Sequence, residues 1–266
     1  MQSSNPFKAA IEARRRQVGL WLSLANPYAA EICATAGFDW VLIDGEHAPN
    51  DVPSILRQLQ SIAGHKTQAV VRPPIAEASL IKQYLDIGVR NLLVPMVDSA
   101  EQARALVGAV RYPPAGIRGV GSRMARASGF GLDTGYLRSA DQGICLIAQI
   151  ESRAGLANLE AIAAVEGIDG LFVGPSDLAA ALGHTGRPDH ADVRAAVDDA
   201  LRRIAAAGKP SGIVSYDGQG TQHYLESGTT FVAVGGDVAV LAQGARALSA
   251  RFAQARGTKL STKDIA

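Results

Sequence analysis

The chain has 266 residues and a formal net charge of +1, with 26 basic and 25 acidic residues spread along its length. That balance leaves no electrostatic footprint for nucleic acid or an anionic membrane, so the expected partner is a small molecule. No apolar stretch of membrane-spanning length and no signal-peptide core occurs, which makes a cytoplasmic protein the expectation, and Met1 to Pro6 reads as a polar lead-in. Cys33 and Cys145 lie in apolar surroundings and read as two buried thiols rather than a disulfide or metal pair.

A chain of this length suits two small domains or one α/β barrel of the usual ~250 residues, and nothing in its middle resembles a linker. Short β-rich runs alternate with Ala-rich segments of helical period throughout. Strands are predicted at 18–23, 40–44, 69–72, 91–95, 144–150, 170–173, 212–215 and 231–235. Helices are predicted at 27–36, 52–63, 76–87, 99–110, 153–165, 191–206, 218–227 and 238–255. Eight strands, each followed by a helix, describe a single-domain (β/α)8 barrel over residues 1–256, with a flexible tail at 257–266. A doubly wound open sheet is the competing fold. It lacks support, because no Gly-x-Gly-x-x-Gly turn follows the first strand and Gly119/Gly121 want a third glycine.

One irregular region interrupts the alternation. Residues 111–143 carry Pro113, Pro114, several glycines and five arginines, among them Arg118, Arg123 and Arg126. Loops longer than ~12–15 residues in a compact domain are usually functional, so a lid or a subunit-contact loop is expected here.

In such a barrel the chemistry sits at the C-terminal ends of the strands. The first strand carries Trp21; the second ends in Asp44, Glu46 and His47; the third ends in Arg72. Pro95 and Met96 close the fourth, Gln149 and Glu151 the fifth, and Gly174, Pro175, Ser176 and Asp177 the sixth. Ser215 and Tyr216 end the seventh, and Asp237 follows the eighth. Glu151 and Asp177 terminate adjacent strands, where two carboxylates repel unless a divalent cation joins them. Oxygen donors with open positions suit Mg²⁺ or Mn²⁺, with Co²⁺ also compatible. The competing role pairs Glu151 with Arg153 or Arg72 and makes Asp177 a helix cap. His47, three residues after Asp44, is placed for a carboxylate to orient its imidazole as a general base. Arg72 can bind a substrate carboxylate or a developing enolate oxygen, or can pair with Glu46 or Glu151. His65, His184, His190 and His223 lack such placement and read as surface or turn residues.

Some chemistries have no support. None of the six lysines (Lys8, Lys66, Lys82, Lys209, Lys259, Lys263) falls at a strand's C-terminal end, as a Schiff-base aldolase requires. No Gly-x-Ser-x-Gly elbow is present, and Ser176 and Ser215 have no histidine nearby in sequence.

Taken together, several segments resemble the metal-dependent (class II) pyruvate aldolases typified by 4-hydroxy-2-oxoheptanedioate aldolase, within the aldolase/citrate-lyase superfamily. The carriers are GLW at 19–21, GFDWVLIDGEHAPN at 37–50, VVRP at 70–73 and LVPM at 93–96. RYPPAGIRGVG at 111–121, QIE at 149–151, GLFVGPSDL at 170–178 and FVAVG at 231–235 complete the set. The resemblance implies Glu151 and Asp177 as metal ligands, Arg72 on the pyruvyl oxygen and Asp44 with His47 as the proton-handling pair. It also implies substrate contacts from Trp21, Gln149, Gly174 and Ser176. Hexamers built from dimers that exchange their C-terminal helix are implied too, with Asp86 a candidate contribution to a neighbour's site. The segments around Pro95 and Met96, 122–130, and Ser215 and Tyr216 would contact the aldehyde half.

The activity so implied is reversible cleavage of a 4-hydroxy-2-oxo acid to pyruvate and an aldehyde such as succinic semialdehyde, through a metal-stabilised pyruvate enolate. A 2-keto-3-deoxy-sugar-acid aldolase is the sister specificity. A CoA-ester lyase is the more distant alternative, disfavoured by the short chain and the lack of an obvious pantetheine channel.

Overall fold

The computed structural model describes residues 5–253. Helix α1 (Pro6–Glu12) precedes β1 (Gln17–Leu22), α2 (Pro27–Ala34), β2 (Trp40–Asp44), α3 (Val52–Ile62), β3 (Gln68–Arg72), α4 (Ala78–Asp86), β4 (Asn91–Val94) and α5 (Ala100–Val110). After a long connection containing the short α6 (Tyr136–Ser139) come β5 (Cys145–Ile150), α7 (Arg153–Ala157), α8 (Leu159–Ala163), β6 (Gly170–Val173), α9 (Pro175–Ala181) and α10 (Ala191–Ala206). The chain then forms β7 (Ser211–Val214), α11 (Gly218–Glu226), β8 (Phe231–Gly236) and α12 (Asp237–Arg251). The strands are all parallel and close on themselves in sequence order, β8 pairing with β1, which is the expected (β/α)8 barrel.

Strand periodicity sorts the side chains. Alternate residues of each strand point inward, and Trp40, Leu42, Val70, Leu93, Ile147, Phe172, Phe231 and Ala233 fill the lumen as one cluster. Gly19 and Gly212 make room for it, because a Cβ at either would run into the rings of Trp40 or Phe231. The outward residues, among them Val41, Ile43, Val71, Leu92, Val94, Leu146 and Val173, form the larger core beneath the helices.

Three helices fall outside the ranges predicted from the sequence: α1, α9 and the short α6 in the long connection. Residues taken as the end of a polar lead-in begin α1, with Asn5 as N-cap and Pro6 in its first turn. The helix plugs the N-terminal mouth of the barrel. Phe7 and Ile11 are fully buried in the lumen cluster, and the Phe7 ring lies 5.8 Å from both Trp40 and Phe231. Helix α9 follows directly after β6. The single helix expected at 153–165 is two, α7 and α8, meeting at Asn158.

Residues 111–143 connect α5 to β5 and so leave and rejoin the barrel at its N-terminal end, opposite the strand termini where chemistry is expected. A lid over this chain's own site is therefore excluded. The segment is pinned by Arg118, whose fully buried guanidinium lies 4.5 Å from the Tyr112 ring centroid and 2.9 Å from Asp86 Oδ1. Helix α12 buries only Asp237 and leaves Val238, Val240, Leu241 and Leu248 in solvent. Cys145 is buried and Cys33 only half-buried, and both are free thiols. The boundary expected at 256 and the tail at 257–266 lie outside the described residues. Among the described residues, no helix is long and apolar enough to cross a membrane.

Candidate active site

The same inward alternation that fills the lumen continues, at the C-terminal ends, into polar residues. Asp44 follows Leu42, Arg72 follows Val70, and Gln149 follows Ile147, so an apolar plug is topped by a polar layer. A cavity of about 220 Å³ opens above it, lined by Trp21, Asp44, His47, Arg72, Gln149, Gly174, Ser176, Asp177 and Tyr216, with Ser23, Pro175 and Val214.

Arg72 is the centre of the charge network. It is buried, and its Nε and NH2 donate to Asp44 Oδ1 and Oδ2 at 2.9 and 2.8 Å. Its NH1 meets Glu46 Oε2 at 2.7 Å, and its Cζ lies 4.8 Å from the Trp21 ring centroid. The Trp21 Nε1–H donates to Asp44 Oδ2 at 3.1 Å. Burial opposes ionisation of Asp44, but the Arg72 guanidinium outweighs it and holds the carboxyl below its usual value. Glu46 goes the other way: burial raises it, and Arg72 and His47 only partly counter that.

The expected Asp44–His47 pairing is corrected in its geometry. The carboxylate of Asp44 is spent on Arg72 and Trp21 and reaches His47 only through the latter's backbone N–H, at 3.5 Å. The imidazole stands at the pocket mouth, 65% exposed, with Nε2 3.9 Å from Glu46 Oε2. The two residues between Asp44 and His47 turn the ring outward, so Glu46 is its acidic neighbour.

Glu151 follows β5 and is buried, with Oε1 accepting the Met96 N–H at 2.9 Å. Met96 holds a left-handed backbone (φ 55°) that aims this N–H inward. The Gln149 Nε2 donates to Glu151 Oε2, while the buried Gln149 Oε1 has no protein partner. Burial, with the charges of Asp177 and Glu46, pushes the Glu151 carboxyl up to about 7 against the Met96 hydrogen bond. Asp177 stands exposed in the first turn of α9, whose N-cap is Gly174 and which has no side-chain cap. Arg153 bonds the Ala181 carbonyl, not Glu151; the Arg72 charge lowers the Glu151 carboxyl without outweighing its burial; and no side chain, Asp177 included, caps α9. Gly174 is a steric requirement, since a Cβ there would strike Glu151 Oε2 and Gln149 Nε2.

This donor set fits a hard divalent cation. Two carboxylates whose charges interact, one of them buried and reluctant to ionise alone, gain most from a cation between them. Tyr216 joins the pocket wall as anticipated, whereas Met96 contributes its backbone and residues 122–130 lie at the other end of this chain's barrel. Asp86 likewise lies at that end, on Arg118 of its own chain. Asp237 is the contributor least visible in sequence: its carboxylate takes the Ser23 and Leu24 N–H groups at 2.8 and 3.1 Å and fixes the β1–α2 turn beside the pocket.

Residues 17–244 match the HpcH/HpaI aldolase/citrate lyase family. The chain belongs to that family. A hydroxypyruvate/pyruvate aldolase of Deinococcus radiodurans is 61% identical over 249 residues, covering 94% of this chain and 90% of the relative. A 4-hydroxy-2-oxo-heptane-1,7-dioate aldolase of Klebsiella pneumoniae is 54% identical over 249 residues, covering 94% of each. A crystal structure of a family protein from Burkholderia cenocepacia superposes with a TM-score of 0.90 at 39% identity, covering 93% of this chain and 99% of that one. This HpcH/HpaI family member is a carbon–carbon lyase of the aldolase type, acting on small molecules.

Proposed function

We propose that the protein is a divalent-metal-dependent pyruvate aldolase that cleaves 4-hydroxy-2-oxo acids, 4-hydroxy-2-oxoheptanedioate among them, to pyruvate and an aldehyde. The carrying observation is the buried Glu151 carboxylate, raised by burial and by Asp177, which lies against Gln149 and Gly174 of the pocket that Arg72 lines. Glu151 and Asp177 would hold the cation, one of Mg²⁺, Mn²⁺ or Co²⁺, which when bound would supply Lewis-acid polarisation of the 2-oxo acid.

The chain's own residues do the rest. Three of Arg72's five N–H groups face Asp44 and Glu46, leaving two for the keto oxygen and then the enolate oxygen. Asp44 and Trp21 keep that fork flat and immobile, so it is already oriented when negative charge develops. Gln149 offers its unpartnered Oε1 to the pocket, and Gly174 and Ser176 shape the wall opposite. His47, at the mouth beside Glu46, takes the proton from the C4 hydroxyl. The C3–C4 bond breaks, its electron pair passes into the enolate, and protonation at C3 gives pyruvate. A cavity of about 220 Å³ suits a short 2-oxo acid and not an acyl-CoA, which disfavours the CoA-ester lyase reading.

Similarity to hydroxypyruvate/pyruvate aldolases favours a second enolate donor, hydroxypyruvate, at the same site. The exposed apolar side of α12 supports assembly through that helix, and the proposed oligomer is a hexamer built from three helix-exchanged dimers, with Asp86 near a neighbour's pocket. A cytoplasmic location completes the proposal.

The test is pyruvate release from 4-hydroxy-2-oxoheptanedioate by metal-stripped protein, before and after adding Mg²⁺, Mn²⁺ or Co²⁺, with Glu151→Gln as control. Metal-restored cleavage absent from the control supports the reading. Failure here, in oxaloacetate decarboxylation and in hydroxypyruvate aldol addition overturns it.

A further inference from the structure

A single oxygen, Glu46 Oε2, stands between the arginine and the histidine of the pocket, 2.7 Å from Arg72 NH1 and 3.9 Å from His47 Nε2. The two carboxylates on Arg72 are held differently. Asp44 receives aligned hydrogen bonds from Nε and NH2, whereas the Glu46 contact is close but not aligned, so its buried Oε2 has no hydrogen-bond partner. Arg72 outweighs burial at Asp44 but not at Glu46, whose carboxyl stays raised. Asp44 on the same turn and Asp177 of α9 raise it further, and Glu151 after β5 repels it in turn.

We propose, resting on the aldolase function above, that Glu46 is a positioning residue whose carboxylate passes from Arg72 to His47 as the imidazole takes up the C4 hydroxyl proton. Before transfer, one guanidinium faces two carboxylates, and the net negative charge repels an enolate. Once protonated, the imidazole offers Oε2 an opposite charge 3.9 Å away, and a small swing of the Glu46 side chain closes that gap to a hydrogen bond. Leaving Arg72 sacrifices no hydrogen bond of Glu46, so the exchange is easy. The guanidinium then keeps Asp44 alone, and its NH1 is unmasked as negative charge reaches the substrate. The same geometry selects the tautomer: a ring proton on Nε2 faces the carboxylate, which leaves the Nδ1 lone pair to act as base. The proton moves from the C4 oxygen to Nδ1, the O–H electron pair becomes the aldehyde carbonyl, and the C3–C4 pair passes into the enolate. The imidazolium is the only cation formed and the enolate the only anion.

A purely structural role makes a different pattern. If Glu46 only buttressed Arg72, glutamine would serve nearly as well, because its amide oxygen still accepts from NH1, and any loss would add to that of removing His47. A residue that acts through the imidazole has no effect once the imidazole is gone. Carboxylate and imidazolium also stabilise each other reciprocally, so His47 must be felt in the titration of Glu46.

The experiment compares Glu46→Gln, His47→Asn and the double variant in metal-loaded protein. Glu46→Gln should lower kcat by ~10–100-fold with KM changed less than about threefold, and the acid limb of the kcat/KM profile should move to lower pH, because the base has lost its anion. The double variant should lose no more than His47→Asn alone; additive losses, or an unmoved limb, overturn the proposal. A second measurement needs no turnover: carbon-13 NMR of glutamate-labelled, metal-stripped protein, with the Glu46 signal assigned from Glu46→Asp, follows that carboxyl through its titration. His47→Asn should raise the pH at which Glu46 ionises, since it removes the imidazolium that lowers it, and an unmoved titration refutes the pairing. Should the unmodified protein prove inactive on every 2-oxo acid, the aldolase function fails by itself, and the Glu46 titration still decides for or against the pair.

Discussion

Asp44 and Arg72 face each other in register across β2 and β3, and the guanidinium grips the carboxylate through two hydrogen bonds of 2.9 and 2.8 Å. Both side chains are buried, so neither ion is tolerable without the other. One interaction thus serves two levels: it satisfies a charge at the top of the barrel core and fixes the fork that faces the pocket. Replacing Arg72 by Ala should cost about 3–5 kcal/mol of stability, the penalty of stranding Asp44, and lower kcat by ~10²–10³. Arg72→Lys should restore much of the stability but little of the turnover, because a point charge cannot reproduce the fork. Urea unfolding and steady-state pyruvate release on the two variants check both halves; equal activity of Arg72→Lys and the unmodified protein would remove the arginine from the chemistry.

Gly174→Ala tests the space above the carboxylates. The added methyl meets Glu151 Oε2 and Gln149 Nε2 at the start of α9, where backbone geometry leaves it nowhere to turn. The fold should survive, since one displaced carboxylate at a strand end does not touch the lumen. Metal affinity and turnover should fall together by ~10–100-fold, as when a ligand is misaimed. Calorimetric metal titration alongside kcat resolves this, and loss of turnover with unchanged metal affinity would contradict the assigned role of Glu151.

Metal-free protein should become less stable as pH rises toward neutrality. Glu151 is raised from 4.5 to about 7 in the folded chain, so the folded state holds a proton that the unfolded state releases first. Its favourable contribution is complete below about 4.5 and disappears as pH climbs through about 7, a swing of about 3 kcal/mol at most. Glu151→Gln cannot ionise and should flatten this part of the profile. Chemical denaturation from pH 5 to 8 in a chelating buffer measures it; parallel profiles for the two proteins would rule out Glu151 as the source.

The barrel was legible because each of its eight strands carries a buried apolar run, and local period does not depend on tertiary context. The acidic and basic residues at the strand ends were legible for the same reason, once inward alternation is carried one step past Leu42, Val70 and Ile147. What escaped was what depends on direction. The turn from Asp44 to His47 sends the imidazole outward to Glu46, and nothing in a three-residue spacing fixes that choice. The length of residues 111–143 signals a lid or a subunit contact alike, and only their place between a helix and a strand puts them at the opposite end and removes the first. His184 and His190 were unremarkable because the turn that stacks them has no periodic signature. Helix α1 was missed although Asn5, Pro6 and the Phe7/Ile11 spacing gave a cap, a first-turn proline and an apolar face.

That helix yields the last prediction. Phe7 is fully buried among Trp40, Phe231 and the lumen cluster, at the end of the barrel away from the pocket. Phe7→Ala leaves a hole where the N-terminal mouth is stoppered, and the surrounding aromatic rings, packed into the space left by Gly19 and Gly212, have little freedom to collapse into it. The expected loss is about 3–5 kcal/mol of unfolding free energy. Turnover below the transition temperature should change less than about twofold, because Arg72, Glu151 and Asp177 are held by the opposite end of the same strands. Thermal and urea unfolding give the first quantity and kcat at low temperature the second. A large drop in kcat for the still-folded variant would mean that the lumen transmits the state of its plug to the site, and that the two ends of the barrel are not independent.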